Sequence, residues 1–151
     1  SGSVSRVVVV PAEKSVLIVE ADPDVQVQIA RALRGQGHRV VGTSSGDGAL
    51  ALITEWAVDL ILVSQDLPGR AGVEVTRLLR ERRASTPVVL MAASTEAGVC
   101  EAALAAGAAG CVMKPLTIDS LAPWLGPARN RSGTASAVSI PALCAGPGVA
   151  E

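Results

Sequence analysis

Five short apolar runs alternate with amphipathic stretches along the chain. Val16–Val19 is uninterrupted and short, the pattern of a strand buried on both faces. It leads into Glu20-Ala21-Asp22-Pro23-Asp24, where Asp22 before Pro23 reads as an N-cap followed by a proline at the first helical position. Val25, Ile29 and Leu33 then recur at helical spacing until Gly35 and Gly37. His38–Gly42 predicts a second strand. Gly46 and Gly48 predict a turn before a helix with the apolar face Ala49, Leu52, Ile53 and Trp56. Val58–Val63 predicts a third strand and Ser64–Gly72 a Pro/Gly loop. A helix to about Arg83 buries Val75, Leu78 and Leu79 and turns Arg77, Arg80, Arg82 and Arg83 outward. Val88–Met91 predicts the fourth strand, after which Ser94 or Thr95 caps an alanine-rich helix to about Ala106. Gly110–Met113 predicts the fifth strand. Thr117 caps a last helix carrying Leu121, Trp124 and Leu125, which Pro123 shortens or kinks.

Regular alternation of strand and helix, with strands apolar on both faces, predicts a parallel sheet covered by helices, a doubly wound α/β fold. The domain spans residues 16–125. Residues 1–15 hold Val7–Val10, stopped by Pro11, and read either as an added edge strand or as an arm. Their opening Ser1-Gly2-Ser3 reads as a scar or a fragment's start. Residues 126–151 are Pro/Gly/Ser-rich and nearly chargeless after Arg131, the composition of a tail or linker.

Composition narrows the function. The 151 residues carry 13 Lys+Arg against 14 Asp+Glu, so no basic stripe is expected and no direct nucleic-acid contact. No run approaches the ~20 apolar residues that cross a bilayer, so no membrane span is expected. Without Phe or Tyr, and with only Trp56 and Trp124, stacking platforms are poorly supplied. Cys100, Cys111 and Cys144 have no metal-ligand spacing, and the odd count reads as free thiols in a reducing cytosol. GTSSGDG at 42–48 lacks the lysine of a phosphate loop.

In an open parallel sheet, ligands bind beyond the carboxyl ends of the strands. Polar groups converge there: Glu20 and Asp22, Ser64-Gln65-Asp66, Ser94 and Lys114-Pro115. With VEADPD, DLILVSQDLPGRAG, TPVVLMAAS and GAAGCVMKP in that order, the chain resembles the receiver domain of bacterial response regulators from about Val16 to Leu125. The resemblance implies the flavodoxin-like receiver fold with strand order 2-1-3-4-5. It also implies Mg²⁺ held by acids after the first strand, and an aspartate after the third that accepts a phosphoryl group from a histidine kinase. A Thr or Ser after the fourth strand, a lysine after the fifth and a fifth-strand aromatic complete the pattern.

Carried over, the acceptor position is Ser64, the two acid positions hold Glu20, a longer side chain, and Ala21, which has no carboxylate, the hydroxyl position is Ala92 and the aromatic position is Cys111. Only Lys114 and Pro115 fit, and the bond between them is expected to be cis. A serine cannot form an acyl phosphate, and Glu20 alone, even with Asp22 near, is a poor seat for Mg²⁺. Ser64 as a nucleophile lacks a base, because the single His38 opens the second strand, about 15 Å away at the other end of the sheet. Lys114 is expected to pair with Glu20, and Asp22 and Asp24 to serve as helix cap and dipole partner.

The resulting reading is a degenerate receiver, cytoplasmic, not an enzyme, without Mg²⁺ or another cofactor. It acts by protein–protein recognition with a histidine kinase, an output domain or a second copy. The fourth helix, fifth strand and last helix form its expected contact face, with Trp124 and Leu125 as candidate anchors. Two alternatives stay open: a displaced acceptor at Asp66, about 6.6 Å from residue 64 if the chain stays extended, and a small-molecule sensor using the emptied pocket.

Overall fold

A computed structural model of the chain describes residues 13–126, apart from 84 and 94. The Val7–Val10 segment, the Ser94 cap, Cys144 and nearly all of the 126–151 tail lie outside the described residues. Those described fall into two units, one of Lys14–Leu116 and one that holds Glu13 and the residues from Thr117 on.

The first unit holds five parallel strands: β1 (Ser15–Val19), β2 (Arg39–Thr43), β3 (Leu60–Ser64), β4 (Val88–Ala92) and β5 (Gly110–Met113). Their order is β2-β1-β3-β4-β5, as the resemblance implies. The registers Val19↔Val63, Ser64↔Met91 and Ala92↔Met113 bring the carboxyl ends level. Between the strands run α1 (Pro23–Gly35), α2 (Gly46–Glu55), α3 (Gly72–Arg82) and α4 (Val99–Ala105). Side chains alternate across the sheet. Leu17, Val19, Ile61, Val63 and Leu90 turn to the face covered by α2, α3 and α4, where they meet Ile53, Val75, Leu79 and Ala103. Over β1 and β2, α1 buries Ile29, Ala30 and Leu33. Each such large side chain, fully buried, stabilises by about 1.5–3 kcal/mol.

Several local expectations shift. Gly46 and Gly48 form the first turn of α2 rather than a turn before it, because Ser45 Oγ accepts the Gly48 amide and starts the helix early. Trp56 ends α2 as its C-cap and is half-exposed, not on the buried face. Arg77 and Arg82 are exposed as expected. Arg80 and Arg83 instead fold back to donate to the carbonyls of Thr86 and Ile53. Thr95 does not cap α4. That helix begins at Val99 behind Gly98, whose φ of +77° is a left-handed conformation open to glycine, with no side-chain cap.

In the second unit Thr117 caps a 3₁₀ turn, Ile118–Leu121, which continues into α5 (Ala122–Leu125). Pro123 lies within α5, which is four residues long.

Candidate functional site

Glu20 follows β1, Ser64 closes β3, Ala92 closes β4 and Lys114 follows β5, so the parallel sheet delivers all four to one edge. Lys114 Nζ donates to Glu20 Oε1 at 2.6 Å and to Ser64 Oγ at 2.8 Å. Glu20 Oε2 accepts the Asp22 amide at 3.0 Å. Glu20 is 3% exposed and Ser64 fully buried, so the lysine supplies the partner that a buried carboxylate requires. The expected Lys114–Glu20 ion pair is present, and the Lys114–Pro115 bond is cis.

The other candidates surround this network without joining it. Asp22 Oδ1 accepts the amides of Asp24 and Val25 at 2.9 and 3.4 Å, the geometry of an N-cap, with Asp24 in the first turn. Ala21 and Ala92 contribute methyl groups, and the carbonyl of Ala92 accepts the Lys114 amide at 2.9 Å. After Ser64 the backbone bends at Gln65, whose Oε1 accepts the Val73 amide and whose carbonyl accepts that of Gly72. Asp66 is exposed beyond this bend, and no described residue hydrogen-bonds or pairs with its carboxylate. The same loop is pinned by Arg70, which reaches Asp47 at 3.3 Å and Glu74 at 3.0 Å. The hydrogen bond and charge of Asp47, then the charge of Glu74, raise the Arg70 pKa above its ordinary value. His38 is buried at the opposite, amino end of the sheet, where Nδ1 accepts the Lys14 amide. Among the described residues, no group of three or more His, Cys, Asp or Glu side chains could share a metal ion.

Cys111 is not a free thiol. It forms a disulfide with Cys100, the second residue of α4, with Cα atoms 5.5 Å apart. Sequence spacing gave no sign of this. The pairing arises because the chain reverses after α4 and returns as β5, which sets the two residues side by side. Of the two anchors expected on the contact face, Trp124 is half-buried and Leu125 is buried, so Leu125 offers little surface to a partner. Leu104 and Met113, 53% and 48% exposed, escaped the sequence reading. Leu104 follows the buried Ala103 by one residue, about 100° around the helix, a displacement that the alanine-rich composition of α4 masks.

Residues 16–124 match the family profile described as Response regulator receiver domain. The chain is 32% identical over 114 residues to the Sensor protein EvgS of Escherichia coli K12, covering 76% of this chain and 10% of that protein. It is 35% identical over 102 residues to the Transcriptional regulatory protein AfsQ1 of Streptomyces coelicolor, covering 68% of this chain and 45% of that one. The receiver domain of the sensor histidine kinase PA1611 from Pseudomonas aeruginosa PAO1, solved with a magnesium ion coordinated in its active site cleft, is similar at a TM-score of 0.68 and 30% identity, with 76% of this chain and 99% of that chain covered. The chain thus spans less than half the length of these two curated relatives.

Proposed function

The chain belongs to the response regulator receiver family, the receiving module of two-component signalling, and on that premise we propose that it signals without taking a phosphoryl group. One observation carries this reading: the Lys114 ammonium is closed onto Glu20 and Ser64. Phosphoryl transfer to a receiver needs a carboxylate nucleophile, with a metal to neutralise the developing charge. Position 64 offers a buried hydroxyl instead.

The donor set does not suit Mg²⁺, which is bound through one or two carboxylates and phosphate oxygens. Both Glu20 oxygens are engaged, Asp22 caps α1, and Ala21 and Ala92 have no oxygen in their side chains. The proposed module therefore works without a cofactor. Asp66 as displaced acceptor is not favoured, because it stands outside the Lys114 network. A sensor of the emptied pocket is not favoured either, because the polar groups there, Lys114, Glu20 and Ser64, already bond to one another. A groove of about 640 Å³ lies at the amino end of the sheet, lined by residues such as His38, Val40 and Trp56.

The role that remains is recognition of a signalling partner in the cytoplasm: a kinase, an output domain or a second copy. Leu104 on α4 and Met113 on the edge strand β5 supply exposed apolar surface for it. Among the described residues, no helix is long and apolar enough to cross a membrane. Titration with Mg²⁺ and beryllofluoride, followed by amide NMR, tests the reading. Resonances of Ser64, Ala92 and Lys114 should stay in place; saturable shifts there would overturn it.

A further inference from the structure

We infer that Cys100 and Cys111 are a reversible dithiol–disulfide pair that clamps α4 to β5 when oxidised and frees α4 when reduced, so that thiol redox state orders the recognition face. The inference rests on the phosphorylation-independent reading above.

The bond falls on the least anchored of the first unit's four helices. With 13 residues, α1 has an Asp22 cap and three buried side chains. With seven residues, α4 has no side-chain cap and one buried residue, Ala103. A helix this short does not hold itself in water, so its order depends on what ties it to the sheet. Besides Ala103, the half-buried Val99 packed on the same core and the Ala108 amide donating to the Ala103 carbonyl, that tie is the Cys100–Cys111 bond. Leu104, four residues after Cys100, is carried on the same helix, and Met113 lies two residues beyond Cys111 on β5.

Both cysteines are half-buried, so a small thiol can reach them. Thiol pools of the proposed cytoplasm keep ordinary cysteines reduced, and pairs that form there are usually transient or redox-sensing. The oxidant is a low-molecular-weight disulfide such as glutathione disulfide. One cysteine thiolate of the pair attacks it, forming a mixed disulfide and releasing one glutathione thiolate. The second cysteine thiolate then attacks the protein sulfur of that mixed disulfide and releases the other. The protein loses two electrons and two protons, and one glutathione disulfide becomes two glutathione thiols. Excess glutathione reverses both steps.

The test uses the full chain carrying Cys144→Ser, equilibrated across glutathione to glutathione disulfide ratios. Alkylation with intact-mass readout counts free thiols, and hydrogen exchange follows residues 99–106. The two thiols should disappear together within the range of ratios, and α4 amides should exchange about tenfold or more faster in the reduced chain. In a Cys100→Ser/Cys111→Ser variant, exchange should be fast at every ratio. Thiols that never pair, a bond that survives excess glutathione, or exchange indifferent to redox state would each overturn the inference. Failure of the underlying reading is separable: phosphoryl uptake would refute that reading while leaving the thiol titration unchanged, and a flat titration would leave that reading intact.

Discussion

Lys114, after β5, reaches across two intervening strands to Glu20, after β1, and meets its carboxylate at 2.6 Å. The carboxylate side chain is 3% exposed and that of the lysine 25%. The pair closes the edge of the sheet where the strands end, with Ser64 as its third member.

Removing one charge of this pair leaves the other buried. Lys114→Met should lower stability by about 3 kcal/mol. A Glu20→Gln/Lys114→Met double variant should lose less than the sum of the two single losses. Urea unfolding midpoints at constant m-value check both. Additive losses would mean that the two groups do not interact.

Gly72 starts α3 where the chain passes closest to the end of β3. A Cβ there would collide with the Ser64 carbonyl oxygen and the Gln65 Cα, which are backbone atoms with little room to yield. Gly72→Ala should cost about 1–3 kcal/mol. Gly35, the last residue of α1, has nothing within 4 Å of the same position, so Gly35→Ala should be neutral or stabilise by up to about 1 kcal/mol. Thermal unfolding of the two variants should move in opposite directions or differ by several degrees.

Leu79 is fully buried on α3 and Leu104 is 53% exposed on α4. Leu79→Ala should cost about 2–5 kcal/mol. Leu104→Ser should stay within about 0.5 kcal/mol of the parent while removing apolar surface from the proposed contact face. Chemical denaturation distinguishes them. A large loss at Leu104 would place that side chain in the core.

The Cys100–Cys111 bond closes a short loop, with the cysteines 11 residues apart in sequence. Restricting the unfolded chain in this way contributes about 2–3 kcal/mol in the chain-entropy account. Reductant should therefore lower the urea midpoint of the parent chain. It should leave that of the Cys100→Ser/Cys111→Ser variant unchanged.

The fold was legible where local and tertiary preferences agree. Val16–Val19 is apolar on both faces because the strand is central, and Asp22-Pro23 starts α1 by cap chemistry that needs no distant partner. The Glu20–Lys114 pair could be anticipated because parallel strands bring their ends together. Failures occurred where competing local signals or distant contacts decide. Thr95 offered a cap, but the left-handed turn at Gly98 sets the start of α4. Arg80 and Arg83 looked like outward charges, yet carbonyls on neighbouring loops and helices draw them back. The disulfide depends on how α4 and β5 lie together, which the spacing of Cys100 and Cys111 does not encode.

The most direct measurement of the central claim is the intact mass of the full chain after incubation with acetyl phosphate and Mg²⁺. The account predicts the unmodified mass in both the oxidised and the reduced protein. Near-stoichiometric gain of one phosphoryl group, abolished by Ser64→Ala or by Asp66→Asn, would contradict it.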